Sequence, residues 1–160
     1  MKSSRETSIP KIVFFLLAIA ISESSCENNK NDVIPDVYVN FSLNINDPQF
    51  LDLNGIGGSV TVNASTNNFG TTAAGYDGNG IIVHCGPDAY YAYDRTCPHD
   101  FTENAKSVKV NIDFMLAVCP VCSTKYALSA GGTPAEGVGR YPLKNYKTSF
   151  DGRYVSVWNN

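Results

Sequence analysis

Val37-Tyr38-Val39-Asn40-Phe41-Ser42-Leu43-Asn44-Ile45 puts an apolar side chain at every odd position. A period of two suits only an extended strand with one face in a core and the other in water. Shorter stretches of the same kind recur at residues 59–63, 81–85, 89–94, 108–112, 114–118, 125–128, 146–150 and 154–158. Turn chemistry separates several of them, notably Gly86-Pro87-Asp88 and Asp151-Gly152, the latter a strong hairpin signal. Residues 48–53 suggest a short turn of helix, and the Ser-, Thr-, Asn- and Gly-rich stretch 64–80 suggests an exposed hairpin or loop. After residue 26 no helical period persists beyond about two turns. The expected fold is all-β, a small sandwich of short antiparallel strands. Hydrophobic content of 43% with 17% charge is ordinary for a globular chain. Twelve basic against fifteen acidic residues, a net charge of −3, excludes phosphate-neutralising binding, so no nucleic-acid partner is expected.

Lys2, Arg5 and Lys11 flank or precede an apolar run over residues 12–21. As a helix that run spans about 15 Å, too short for a bilayer and suited to the apolar part of a signal peptide. Ser24-Ser25-Cys26 resembles a bacterial lipoprotein processing site, although Glu23 departs from its usual Leu-like residue. The expected organisation is a signal peptide over 1–25, a lipidated Cys26 with a flexible tether over 26–36, and a β domain over 37–160. The protein would then sit in the cell envelope, held to a membrane by lipid. Cleavage after Ala18-Ile19-Ala20, releasing a soluble protein, is the alternative. No Arg-Arg pair precedes the apolar run, so export of an unfolded chain is expected, with any cofactor inserted afterwards.

Chemistry concentrates in two short motifs, Cys97-Pro98-His99 and, after nineteen residues, Cys119-Pro120-Val121-Cys122. Both follow expected strands, where loops aim side chains at a common point. Two local ligand pairs brought together by the fold are what a Cys/His metal site needs.

With these residues the sequence resembles the Rieske iron–sulfur domain over roughly residues 55–158. Tyr91-Ala92-Tyr93-Asp94-Arg95-Thr96-Cys97-Pro98-His99 looks like the first half of its motif, Cys-x-His. Cys119-Pro120-Val121-Cys122-Ser123-Thr124-Lys125-Tyr126 looks like the second, Cys-x-x-His followed by a small residue and an aromatic, with Cys122 where the second His belongs. Gly131-Gly132-Thr133-Pro134, Tyr141-Pro142-Leu143, Tyr146 and Asp151-Gly152 resemble the closing segment that covers the cluster. The resemblance implies a Rieske-like sandwich with a two-loop cluster-binding subdomain. It implies a [2Fe–2S] cluster with Cys97 and Cys119 on one iron and His99 and Cys122 on the other. Thr124 and Tyr126 match positions whose hydroxyls bond cluster or ligand sulfur. A three-Cys, one-His set implies a potential of roughly −300 to 0 mV, between two-His and all-Cys clusters. The implied role is electron transfer to an unknown redox or envelope protein partner, as a carrier more than a complete enzyme, since His84 is the sole histidine left for a second iron site.

The residues also allow other occupants. Cys85, Cys97, Cys119 and Cys122 make an even set that an oxidising compartment could pair in three ways, stapling a metal-free binding or structural lipoprotein. Cys97, His99, Cys119 and Cys122 also suit one tetrahedral Zn²⁺. A thioredoxin-like role for Cys119-Pro120-Val121-Cys122 would require a helix after Cys122, and no helical pattern follows. His84 is expected as a hydrogen-bonded strand residue, and Tyr90, Tyr91 and Tyr93 as sheet packing.

Overall fold

A computed structural model describes Asn31 and residues 33–159. The signal segment and Cys26 lie outside the described residues.

Among the described residues ten strands form two antiparallel sheets. The larger has the order β1-β10-β9-β4-β3-β2, built from β1 (Asn40–Asn44), β2 (Ser59–Val62), β3 (Ile81–Cys85), β4 (Tyr90–Asp94), β9 (Asn145–Phe150) and β10 (Tyr154–Trp158). The smaller runs β5-β6-β7-β8, from β5 (Asn111–Asp113), β6 (Leu116–Val118), β7 (Lys125–Ala127) and β8 (Thr133–Glu136). The all-β antiparallel expectation holds, with a small sheet inserted between β4 and β9.

Alternation dictates the larger sheet's core. Val39, Phe41, Leu43 and Ile45 are buried, while Tyr38, Asn40 and Ser42 face water. They pack with Phe50, Leu53, Val60, Val62, Ile81, Val83, Val155 and Val157 into one apolar cluster. Asp151 closes the β9–β10 hairpin by accepting the backbone N–H of Arg153 at 2.9 Å and of Tyr154 at 2.7 Å, while Gly152 takes φ +99°. Such side-chain-to-backbone bonding is why Asp-Gly marks a turn.

Four local expectations need correction. Residues 64–80 take the loop form of the expected exposed hairpin or loop, but as three short 3-10 turns that bury Ala73 and Asn79, the arrangement its Asn and Gly residues permit by taking positive φ at Asn67, Asn68, Gly70, Gly75, Gly78 and Gly80. Phe114 belongs to the β5–β6 turn, at φ +54° and 89% exposed, and is not a strand residue. The end of the segment expected as a flexible tether is packed on the domain. There Asn31 and Ile34 are buried, the Asn31 side-chain amide donates to the Pro142 carbonyl, and the buried Lys144 reaches Asp36 and the Ile34 carbonyl, both at 2.8 Å. Finally, Cys97-Pro98-His99 does not lie on an open loop, because Cys97 caps helix α1 (Pro98–Asn104). Proline at the first helical position is pre-set for that conformation.

The two sheets meet at a few bonds that fix the small one in place. Tyr93 donates its hydroxyl to the Leu128 carbonyl at 2.7 Å, and the Cys97 N–H donates to Val108 O at 2.8 Å. A bridge pairs Thr96 with Lys109. Tyr91 stacks on Tyr93, and Tyr90 bonds the Leu53 carbonyl, so these aromatics pack the sheet. No described helix is long and apolar enough to cross a membrane.

Candidate metal centre

Two chain segments converge at the end of the smaller sheet. The first leaves β4 and enters α1 at Cys97, where the Phe101 N–H bonds back to the Cys97 carbonyl at 3.1 Å. The second is the β6–β7 turn. There the Cys119 N–H reaches Thr124 O at 2.9 Å, the Ser123 N–H reaches Cys119 O at 3.0 Å, and Ser123 takes φ +59°. This tight knuckle brings the Cys119 and Cys122 side chains to one side and leaves Val121 exposed.

Three thiols meet there. Cys97 and Cys119 are buried and Cys122 is half-buried. The Cys97 and Cys122 sulfurs stand 3.6 Å apart. That is well beyond the ~2.05 Å of a disulfide bond. All four described cysteines are free thiols. Cys85 sits apart, beside a groove of about 500 Å³ that it lines with Ile56, Tyr90 and Phe150 and that no residue of the three-thiol cluster lines.

The fourth member of the cluster is Asp100, which the sequence reading missed. Donor atoms of Cys97, Asp100, Cys119 and Cys122 all lie within 4.8 Å of one another. His99 is half-buried on α1 and is not among them. The reason is local. A Cys-x-His spacing returns to one face only in an extended chain, whereas in a helix the residue three positions on does so. The signals for a helix start were present in Pro98 followed by an acidic first-turn residue. Asp100 is fully buried, accepting from Cys119 Sγ at 2.9 Å and from the Asn104 amide at 3.0 Å.

Thr124 and Tyr126, both buried, touch the sulfurs directly. The Tyr126 hydroxyl is 3.3 Å from Cys97 Sγ, and Cys122 Sγ donates to Thr124 Oγ1 at 3.2 Å. Gly139 donates its N–H to the same Thr124 oxygen at 3.0 Å, bringing the segment after β8 over the site. Glycine is required by space: a Cβ at Gly139 would stand 2.6 Å from Thr124 Cγ2, and one at Gly137 2.7 Å from Thr124 Cα.

Burial sets the protonation of the cluster. It pushes the Cys97 thiol up to about 11, partly offset by hydrogen bonds from the Asp100 backbone and Tyr126. Cys119 is raised further, by burial and by its bond to the Asp100 carboxylate. Burial raises Asp100 too, but hydrogen bonds from the three thiols and Asn104 outweigh it and hold the carboxyl below its ordinary range. Without a cation these are thiols around a carboxylate, and a metal would bind by displacing their protons. Three soft sulfur donors and one buried oxygen fit an iron–sulfur cluster or a zinc-like ion by donor chemistry. His84, by contrast, is no ligand. Its ring is buried between Ser59 Oγ at 2.8 Å and Ser129 Oγ at 2.7 Å.

Fold and site together define a small antiparallel β domain with a cysteine-rich group between two segments that could hold a metal ion. No protein-family model and no curated protein matches the sequence. Among solved structures the chain is similar to the ferredoxin of carbazole 1,9a-dioxygenase from Nocardioides aromaticivorans, at 15% identity and TM-score 0.47 over 78% of this chain and 100% of that one. It is also similar to the cyanobacterial plasma-membrane Rieske protein from Synechocystis, at 20% identity and TM-score 0.46 over 76% of this chain and 98% of that one. A third is the complex of reduced oxygenase and oxidized ferredoxin in carbazole 1,9a-dioxygenase, at 19% identity and TM-score 0.44 over 66% and 83%.

Proposed function

We propose that the protein is an iron–sulfur electron carrier of the cell envelope, anchored by lipid at Cys26 and exchanging electrons with a separate redox protein. The observation that carries this reading is the convergence of the Cys97, Cys119 and Cys122 sulfurs beneath two motifs that resemble the Rieske pair. Those three side chains supply three donors and α1 supplies the fourth. A bound [2Fe–2S] cluster contributes reversible one-electron exchange at potentials set by its ligands and their hydrogen bonds.

The chain's own residues shape that exchange. The Tyr126 hydroxyl beside Cys97 and the Thr124 hydroxyl beside Cys122 draw electron density from the sulfurs when these ionise, which raises the potential. Pro120, Val121 and Ser123 are exposed around the half-buried Cys122, so the centre lies just under the surface that a partner would approach. His84 is engaged by two serines, which leaves no histidine pair for a second, catalytic iron. A carrier is therefore favoured over a complete enzyme.

Anaerobic reconstitution of the full chain with iron and sulfide tests the proposal. Equimolar iron and sulfide, visible absorption and a paramagnetic signal on reduction are expected. A colourless, iron-free product overturns it.

A second reading, a structural zinc site, has its own support in the spacing. A tetrahedral ion with sulfur at ~2.3 Å sets neighbouring sulfurs about 3.8 Å apart. The 3.6 Å between Cys97 and Cys122 matches such an edge. This reading expects about one zinc per chain and no visible absorption.

A further inference from the structure

We infer that Asp100, and not His99, is the fourth ligand of the metal group that Cys97, Cys119 and Cys122 hold. The inference rests on the reading of this cluster as a metal centre and deepens it.

Helix geometry supplies the first reason. Each residue turns the chain by about 100°, so relative to Cys97 the side chain of His99 lies roughly 200° around α1 and that of Asp100 roughly 300°, back toward the cysteine face. The ranges of the contacts agree. Asp100 Oδ2 is 2.9 Å from Cys119 Sγ and its donor atom lies within 4.8 Å of all three sulfurs, a distance His99 does not meet.

Charge supplies the second. Asp100 is fully buried, and among the described residues neither ion pair, Lys125–Glu136 or Lys144–Asp36, includes it. A buried carboxylate without a cationic partner is costly. Here its side-chain donors are the neutral Asn104 amide and the thiols, with Cys119 Sγ at 2.9 Å. Metal binding replaces the Cys119 proton that bridges to Asp100. The carboxylate then faces a thiolate at short range unless the cation lies between them, and the Asn104 amide at 3.0 Å orients it toward the sulfurs. Coordination resolves both problems at once.

The test compares the reduced full chain with His99→Ala, Asp100→Ala and Asp100→Asn. Each is titrated with cobalt(II) alone, read by thiolate-to-cobalt absorption, and each iron-loaded form is examined by pulsed paramagnetic resonance for imidazole nitrogen coupling. Loss of an outer partner alone weakens metal binding about 10–100-fold, so removing the ligand in Asp100→Ala should weaken cobalt binding by roughly 100-fold or more. His99→Ala should bind within about twofold of the parent, since it removes no donor, and no nitrogen coupling should appear in the parent protein. Should Asp100→Ala fold poorly by circular dichroism, the isosteric Asp100→Asn decides, with cobalt binding expected to fall at unchanged thermal midpoint. A coupled imidazole nitrogen, or a loss on His99→Ala with none in the Asp100 variants, overturns the assignment while leaving the metal centre intact. A parent chain that takes up neither cobalt nor iron overturns both.

Discussion

The two sheets bury different kinds of side chain. The cluster behind the six-stranded sheet runs from Val39 and Leu43 to Val155 and Val157, and the buried Asp94 beside it is satisfied within the protein by the Tyr146 hydroxyl and the Tyr76 and Thr96 N–H groups. The cluster under the four-stranded sheet includes Cys97, Cys119 and Tyr126 beside Val110, Ala117, Leu128 and Leu143, with Asp100 and Thr124 buried next to it. Apolar burial needs nothing further to be stable. The thiols and the carboxylate of the second cluster bond one another, and on the proposed reading the same donors gain further stability from a bound cation. The first region is therefore the scaffold, and the second is the one the proposed ligand would stabilise.

The largest expected effect belongs to the scaffold. Leu43→Ala removes a fully buried side chain and should cost about 2–5 kcal/mol in denaturant unfolding. The loss should be the same with or without metal, and a metal-dependent loss would erase the distinction between the regions. Next comes ligand removal. Metal held at a thousandfold excess over its Kd stabilises by about 4 kcal/mol, so chelation should lower the unfolding free energy by that order. Hydrogen exchange should then rise in β6, β7 and α1 and stay slow in β3 and β10. Uniform loosening of both sheets would contradict the two-region account. Gly139→Ala, which drives a Cβ toward Thr124, should cost about 1–3 kcal/mol and weaken metal retention, detected by thermal melting and chelator competition.

The smallest effect concerns pH. Burial, only partly opposed by a hydrogen bond that His84 donates to the Gly58 backbone, lowers the pKa of His84. The unfolded chain therefore binds a proton at His84 more readily than the folded one, so stability is complete above about pH 6.5 and declines as pH falls below it. His84→Gln, which keeps hydrogen-bonding capacity, should flatten the stability profile between about pH 5 and 7. An unchanged slope would show that another group controls it.

Much of the scaffold was legible because its strands carry their burial in alternate positions. Residues 81–85 and 154–158 were placed at their observed limits, and the Asp151-Gly152 hairpin followed from turn chemistry. Strand β8 was not legible: Thr133-Pro134-Ala135-Glu136 lies at an edge, carries a proline and buries nothing completely. At the site, the cysteine spacing spoke plainly, and the structure brings Cys97, Cys119 and Cys122 together. Asp100 was hidden because α1 is seven residues long, too short for a helical period to show, and because a Cys-x-His spacing tacitly assumes extended chain. His84 behaved as its strand position suggested, bonded to serines on both sides.

The most direct test of the central claim is a thiol map paired with metal analysis on the full chain isolated without oxidation. Cys97, Cys119 and Cys122 should resist alkylation while metal is bound and react once a chelator removes it, with Cys85 indifferent to the metal throughout. If all four react alike before and after chelation, or if mass mapping finds the three joined in disulfides, the cluster is not a metal centre and the electron-carrier account fails.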